Sequence, residues 1–152
     1  MSVKTWDPAP SAGADNTGRL LLGAARAFEI NLTARLRALG YADVRLAHSA
    51  VFAHLDGDGT RVVDLAERAG MTKQSMTELV NDLVAKGYLE RRPDLADRRA
   101  KLVVATAVGR QLLRDAVAEI RGIEATYRAQ FGEAQVDALR VMLAALAARP
   151  EM

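Results

Sequence analysis

Apolar residues recur along the chain at intervals of three and four, and glycines interrupt the pattern at a few points. Leu20, Leu21, Ala24, Phe28, Leu32, Leu36 and Leu39 form one wide stripe, which predicts a helix over about 17–39. Asp15, Asn16 and Thr17 offer its N-cap, and Gly40 its end. Asp43 is the expected cap of a second helix carrying Leu46, Ser49, Ala50 and Ala53, which stops before the Asp-Gly-Asp-Gly turn at 56–59. A third helix is expected over 62–69 and, after Gly70, a fourth from Thr72 to Gly87. The period then changes. Residues 88–91 and 101–105 read as two short strands around a charged, Pro-containing loop at 92–100. Thr106 caps a long fifth helix to about Phe131, Gly132 breaks it, and a sixth runs to Ala148 before Arg149 and Pro150. The fold class expected is mainly α with a small β-hairpin. Residues 1–17, with Trp6 as the one large apolar group, read as an N-terminal arm.

Composition narrows the function classes. The chain has 152 residues, half of them apolar and 26% charged, an ordinary globular balance. It has no cysteine, which excludes disulfides and thiol chemistry. No run of about 18 apolar residues occurs, so no membrane-spanning helix is expected. The N-terminus lacks the apolar stretch of a signal peptide, so a cytoplasmic protein without membrane contact is expected. The formal net charge is only +2, so any nucleic-acid affinity has to come from how charge is distributed. No Gly-rich phosphate loop, nucleophile elbow or His-Glu-His metal motif is present, and the expectation is a non-enzyme with no cofactor and no metal. His48 and His54 are six residues apart, which is not a same-face ligand spacing.

Residues 62–83 read as two helices around a tight turn. Met76, Leu79, Val80, Leu83 and Val84 make one buried stripe. The other side of that helix carries Lys73, Gln74, Ser75, Thr77, Glu78 and Asn81, groups able to hydrogen-bond base edges or phosphates. A helix-turn-helix uses the first turns of its second helix in this way. A plain αα-corner fits the same pattern. Six basic residues (Lys86, Arg91, Arg92, Arg98, Arg99 and Lys101) then face three acidic ones (Glu90, Asp94 and Asp97) over 86–101. That local excess exceeds the net charge of the whole chain. A basic hairpin directly after such a helix can reach a minor groove, with Asp97 near enough to orient the Arg99 guanidinium. The bland alternative is a solvated, salt-bridged hairpin tip.

At this point the sequence resembles the MarR family of bacterial regulators, from about Leu20 to Leu146. The resemblance rests on Leu65-Ala66, the helix start from Thr72 through Thr77, Leu83 with Lys86-Gly87-Tyr88-Leu89, Arg91, Asp97-Arg98-Arg99-Ala100-Lys101 and Val104-Ala105-Thr106. It implies a winged helix-turn-helix DNA-binding domain at 42–106 and a helical dimerisation domain from 18–41 and 107–152. It implies a homodimer on a pseudo-palindromic operator in double-stranded DNA, acting as a repressor. By the same resemblance Gln74, Ser75 and Thr77 would read the major groove, and Thr72 and Lys73 would contact the backbone. Arg99 would enter the minor groove with Asp97 as its orienter, Arg98 would touch phosphate, and Arg91 and Lys101 would be basic positions of the wing. A small anionic aromatic ligand is implied in a cleft lined by Phe28, Arg45, His48, Phe52 and Arg114. Glu78 departs from the pattern, standing where relatives carry a basic group. Ala105 replaces the usual larger aliphatic residue, and Ala100 stands where Gly is common. The alternative function is a winged-helix module that binds protein instead of DNA.

Overall fold

A computed structural model describes residues 16–148. The expected arm lies outside the described residues up to position 15, Trp6 included. Helix α1 (Thr17–Ala38) starts where expected, with the Asn16 side chain accepting from the Arg19 N–H at 3.0 Å. Arg35 and Arg37 in its last turn complement the helix dipole.

The second helix differs from expectation. It is a 3₁₀ turn, Leu46–His48, followed by the single-turn helix α2 (Ser49–Phe52). Asp43 does not cap it. The Asp43 carboxylate instead accepts from Tyr88 Oη at 2.7 Å, and its carbonyl accepts from Lys86 Nζ at 2.9 Å. The Arg45 N–H is satisfied by His48 Nδ1 at 2.9 Å.

Helices α3 (Val62–Ala69) and α4 (Lys73–Ala85) follow. Gly70 joins them in the left-handed region, φ 64°, which a side chain would make costly. The Met71 N–H closes the turn on the Ala66 carbonyl at 2.9 Å. Thr72 caps α4, its Oγ1 accepting from the Ser75 N–H at 3.1 Å. Strands β1 (Leu89–Pro93) and β2 (Lys101–Ala105) pair antiparallel, with Leu89 opposite Ala105 and Pro93 opposite Lys101. β1 begins and ends later than the expected 88–91, because Arg92 and Pro93 stay in register with β2. Thr60 bonds Val103 in both directions, at 3.0 and 2.9 Å, and gives the hairpin a one-residue third strand. Helices α5 (Ala107–Phe131) and α6 (Glu133–Ala147) complete the chain, which is mainly helical with one small hairpin.

The main core lies under the helix pair. Val51, Leu65, Met76, Val80, Leu83 and Val103 are fully buried, and Leu36 and Leu112 tie α1 and α5 to them. Ile123 on α5 and Val136 on α6 are also buried, apart from that main cluster. The start of α5 sits directly on the hairpin base. The Tyr88 carbonyl accepts from the Thr106 N–H at 3.0 Å, and a methyl group at Gly109 would overlap the same carbonyl oxygen. No described helix is long and apolar enough to cross a membrane.

Gly109→Ala should destabilise the fold by about 1–3 kcal/mol or more, because its methyl meets backbone that cannot rotate away. A lower urea midpoint at unchanged slope checks this.

Candidate nucleic-acid interface

The buried stripe of α4 fixes where its other residues point. Met76, Val80 and Leu83 are fully buried. At roughly 100° per residue, Gln74, Glu78 and Asn81 fall on the opposite side, within about 60° of one another. All three are exposed. Lys73 and Ser75 are exposed at the first turn, and Thr77 is half-buried. Several of these polar groups are already engaged. Thr72 Oγ1 donates to Ser75 Oγ at 2.9 Å, and Thr77 Oγ1 donates to the Lys73 carbonyl at 2.7 Å. The side chains of Lys73, Gln74 and Glu78 have no such partner among the described residues.

The hairpin adjoins this face. Arg91, on β1, donates from Nη2 to Asn81 Oδ1 at 2.5 Å. This contact places the base of the wing against the outward side of α4.

The loop between the strands is tightly held. Asp94 is only 8% exposed, and Arg61 grips its Oδ2 through Nε at 2.9 Å and Nη2 at 2.5 Å. That guanidinium holds the Asp94 carboxyl below the usual carboxylate range, helped by the Ala96 N–H on Oδ1. Asp97 does not orient the Arg99 guanidinium as expected. Its Oδ1 accepts from the Arg99 backbone N–H at 3.1 Å, and its Oδ2 lies 3.8 Å from Arg61. Two residues of spacing bring the carboxylate to the backbone, as in an Asx turn, and Arg61 takes the remaining charge. Arg98, Arg99 and Lys101 are exposed, and no acidic side chain pairs with them among the described residues. Arg92 pairs with Glu90 at 2.5 Å. Lys86 turns inward, its Nζ 2.8 Å from Asp82 Oδ2.

Asp82 gathers more than Lys86. The same Oδ2 accepts from Arg45 Nη2 at 2.7 Å and meets His48 Nε2 at 2.7 Å. The Lys86 and Arg45 donors keep the Asp82 carboxyl far below its ordinary range. His48 is fully buried, and its Nδ1 already accepts from Arg45, so Nε2 carries the proton and donates. Burial, together with the Lys86 and Arg45 charges, pushes the His48 pKa down against the opposing pull of Asp82, and the ring is neutral.

A cavity of about 290 Å³ lies between α1, the 3₁₀ turn with α2, and α5. Its walls are mainly apolar, including Leu36, Leu112, Ala116 and Ile120. Of the expected cleft residues, Arg45 and Phe52 line it. His48 does not, because its ring is spent on Arg45 and Asp82 in the core. Phe28 lies on α1 away from the cavity wall, and Arg114 is exposed with its Nη2 on Gln111 Oε1 at 2.6 Å. The aliphatic wall was visible as the stripes of α1 and α5, but the stripe alone does not separate core from cavity.

The MarR family model matches residues 42–100, which span α2 to the wing loop. A MarR-family transcriptional regulator from Rhodococcus sp. RHA1 is similar at 25% identity and TM-score 0.72, over 91% of this chain and 96% of that one. CouR from Rhodococcus jostii RHA1, bound to p-coumaroyl-CoA, is similar at 25% identity and TM-score 0.71, over the same shares. A MepR mutant from S. aureus bound to oligodeoxyribonucleotide is similar at 20% identity and TM-score 0.55, over 87% of this chain and 96% of that one. No curated protein matches the chain.

Asp82→Ala should cost about 1–3 kcal/mol, since it leaves the buried His48 N–H without an acceptor; thermal unfolding measures it. The pH dependence has a defined sign. A neutral buried histidine contributes full stability above its unfolded value near 6.5, and that contribution is lost as pH falls below it. The urea midpoint should fall between pH 7.5 and 5.5, and fall less in His48→Gln.

Proposed function

We propose that this chain, with its MarR-family winged-helix fold, is a homodimeric regulator that binds a pseudo-palindromic operator in double-stranded DNA and represses transcription. The carrying observation is the Arg91–Asn81 contact, which joins the exposed polar face of α4 to a wing whose Arg98, Arg99 and Lys101 have no acidic partner among the described residues. In this reading residues 42–106 are the DNA-binding domain. Helix α4 enters the major groove with Gln74, Ser75 and Thr77 toward base edges, and Thr72 and Lys73 lie at the backbone. Arg99 enters the minor groove beside Arg98 and Lys101 at phosphates. Asp97 shapes the loop that presents it, and Arg91 positions the wing.

Residues 18–41 and 107–152 would supply the dimer contact. Leu20, Leu22 and Ile30 on α1, Val117 and Phe131 on α5, and Val141, Met142 and Leu146 on α6 are all strongly exposed in the single chain. Apolar surface on this scale favours burial against a second copy.

A small-ligand response also fits. The cavity takes an apolar or aromatic body, and Arg45 offers a cation to an anionic group. Arg45 donates at the same time to Asp82 on α4. A ligand anion competing for that guanidinium would loosen the hold on the DNA-reading helix.

DNA binding is tested by anisotropy titrations at several salt concentrations, where log K should fall linearly with log salt. Arg99→Ala should weaken operator binding by about 1–3 kcal/mol. Footprints should show paired half-sites roughly 34–36 Å apart. Absence of affinity for any duplex would favour a protein-binding winged helix instead.

A further inference from the structure

Glu78 is a carboxylate on the part of the molecule that, in the proposed function, faces a polyanion. It lies on the outward side of α4, one turn after Gln74 and three residues before Asn81. It is exposed, and no cation pairs with it among the described residues. Lys73, at the first turn, has no acidic partner among the described residues, and the cations that next follow Glu78 in sequence bond other groups. Arg91 bonds Asn81, Lys86 bonds Asp82, and Arg92 pairs with Glu90. A charge left unneutralised there repels phosphate on every sequence alike. A donor that DNA presents inside the groove offsets that repulsion only at particular sequences. The major groove presents two such donors, the cytosine N4 and adenine N6 amino groups, and on adenine the neighbouring N7 acceptor repels a carboxylate. Cytosine N4 has one acceptor beside it, O6 of the paired guanine, whereas adenine N6 lies between two, N7 and thymine O4, so cytosine is the better match for a carboxylate.

We propose that Glu78 is a specificity-determining residue that accepts a hydrogen bond from the N4 amino group of a cytosine in each operator half-site. The inference rests on the DNA-binding reading. Gln74 and Glu78 are four residues apart, about 6 Å along the helix. The cytosine therefore lies within about two base pairs of the position Gln74 reads. The other polar groups of the face are less free to discriminate there. Asn81 is held by Arg91 through its carbonyl oxygen, and Thr77 has its hydroxyl proton on the Lys73 carbonyl.

Selection of bound duplexes from a random library, run with the full chain and with Glu78→Ala, Glu78→Gln and Gln74→Ala, tests this. The wild type should enrich a symmetric motif with a C·G pair in each half. Glu78→Ala should flatten preference at that pair alone, by roughly tenfold or more, and should bind nonspecific duplex several-fold more tightly. Glu78→Gln should move the same position toward A·T, since an amide pairs with both edge groups of adenine. Gln74→Ala should relax a neighbouring position and leave the cytosine unchanged. If the wild type enriches a motif and Glu78→Ala enriches the identical one, the role of Glu78 is overturned while DNA binding stands. If the wild type enriches no duplex, the proposed function itself fails.

Discussion

One carboxylate oxygen, Asp82 Oδ2, ties α4 to the 3₁₀ turn at Leu46–His48 and to Arg45 before it. Lys86 and Arg45 reach it at 2.8 and 2.7 Å, and the buried His48 meets it at 2.7 Å. The arrangement matters because α2 has only four residues. A single helical turn gains little from its own hydrogen bonds and takes its place from tertiary contacts. His48 and Arg45 therefore anchor this segment to α4 rather than to itself. Three donors also offset the loss of water around a carboxylate that is 29% exposed. Asp82 thus links α2 and the edge of the cavity to the position of α4. Tyr88 does comparable work at the other end of α4. Its N–H bonds the Leu83 carbonyl, its carbonyl takes Thr106, and its hydroxyl bonds Asp43.

What could be read from the sequence was what depends on local period and local caps. The long helices showed themselves by apolar stripes, and Asn16, Thr72 and Thr106 each cap the helix that follows. What depended on distant partners could not be read. Asp43 looks like a cap by position, but Tyr88, 45 residues away, claims it. The Thr60–Val103 bridge has one residue and so no period at all. Asp94 is charged and loop-borne, yet it is buried because Arg61 reaches it from the start of α3. In the candidate site, the polar face of α4 followed from the buried stripe opposite it. Which members of that face remain free did not follow, because Thr77 and Asn81 are engaged by neighbours whose reach depends on the folded geometry.

The distribution of charge explains how a chain of net charge +2 can carry a basic wing. Acidic residues are spent inside the domain. Asp82 holds Arg45 and Lys86, and Asp94 holds Arg61. On α5 and α6, Arg128 pairs with Glu133 and Asp137, and Arg140 with Glu124. Among the described residues, Arg98, Arg99 and Lys101 are left without acidic partners on one element. Surface pairs of this kind add little stability each. Their larger effect is on where unpaired charge remains, and the wing keeps three such cations close together in sequence.

In the proposed function Glu78 acts against that field at short range, and the two effects do different work. Charge on the wing attracts every duplex equally and carries no sequence information. A carboxylate on the groove-facing side subtracts from that attraction on every duplex that offers it no donor. Discrimination is a difference between affinities, so a group that weakens wrong complexes more than right ones raises specificity while lowering overall affinity. The interface then has two parts. The wing, stiffened by Arg61 and Asp94, supplies the general attraction. Helix α4, tied to Arg45 by Asp82 and touched by the wing through Arg91 and Asn81, would carry both the reward and the penalty that depend on sequence.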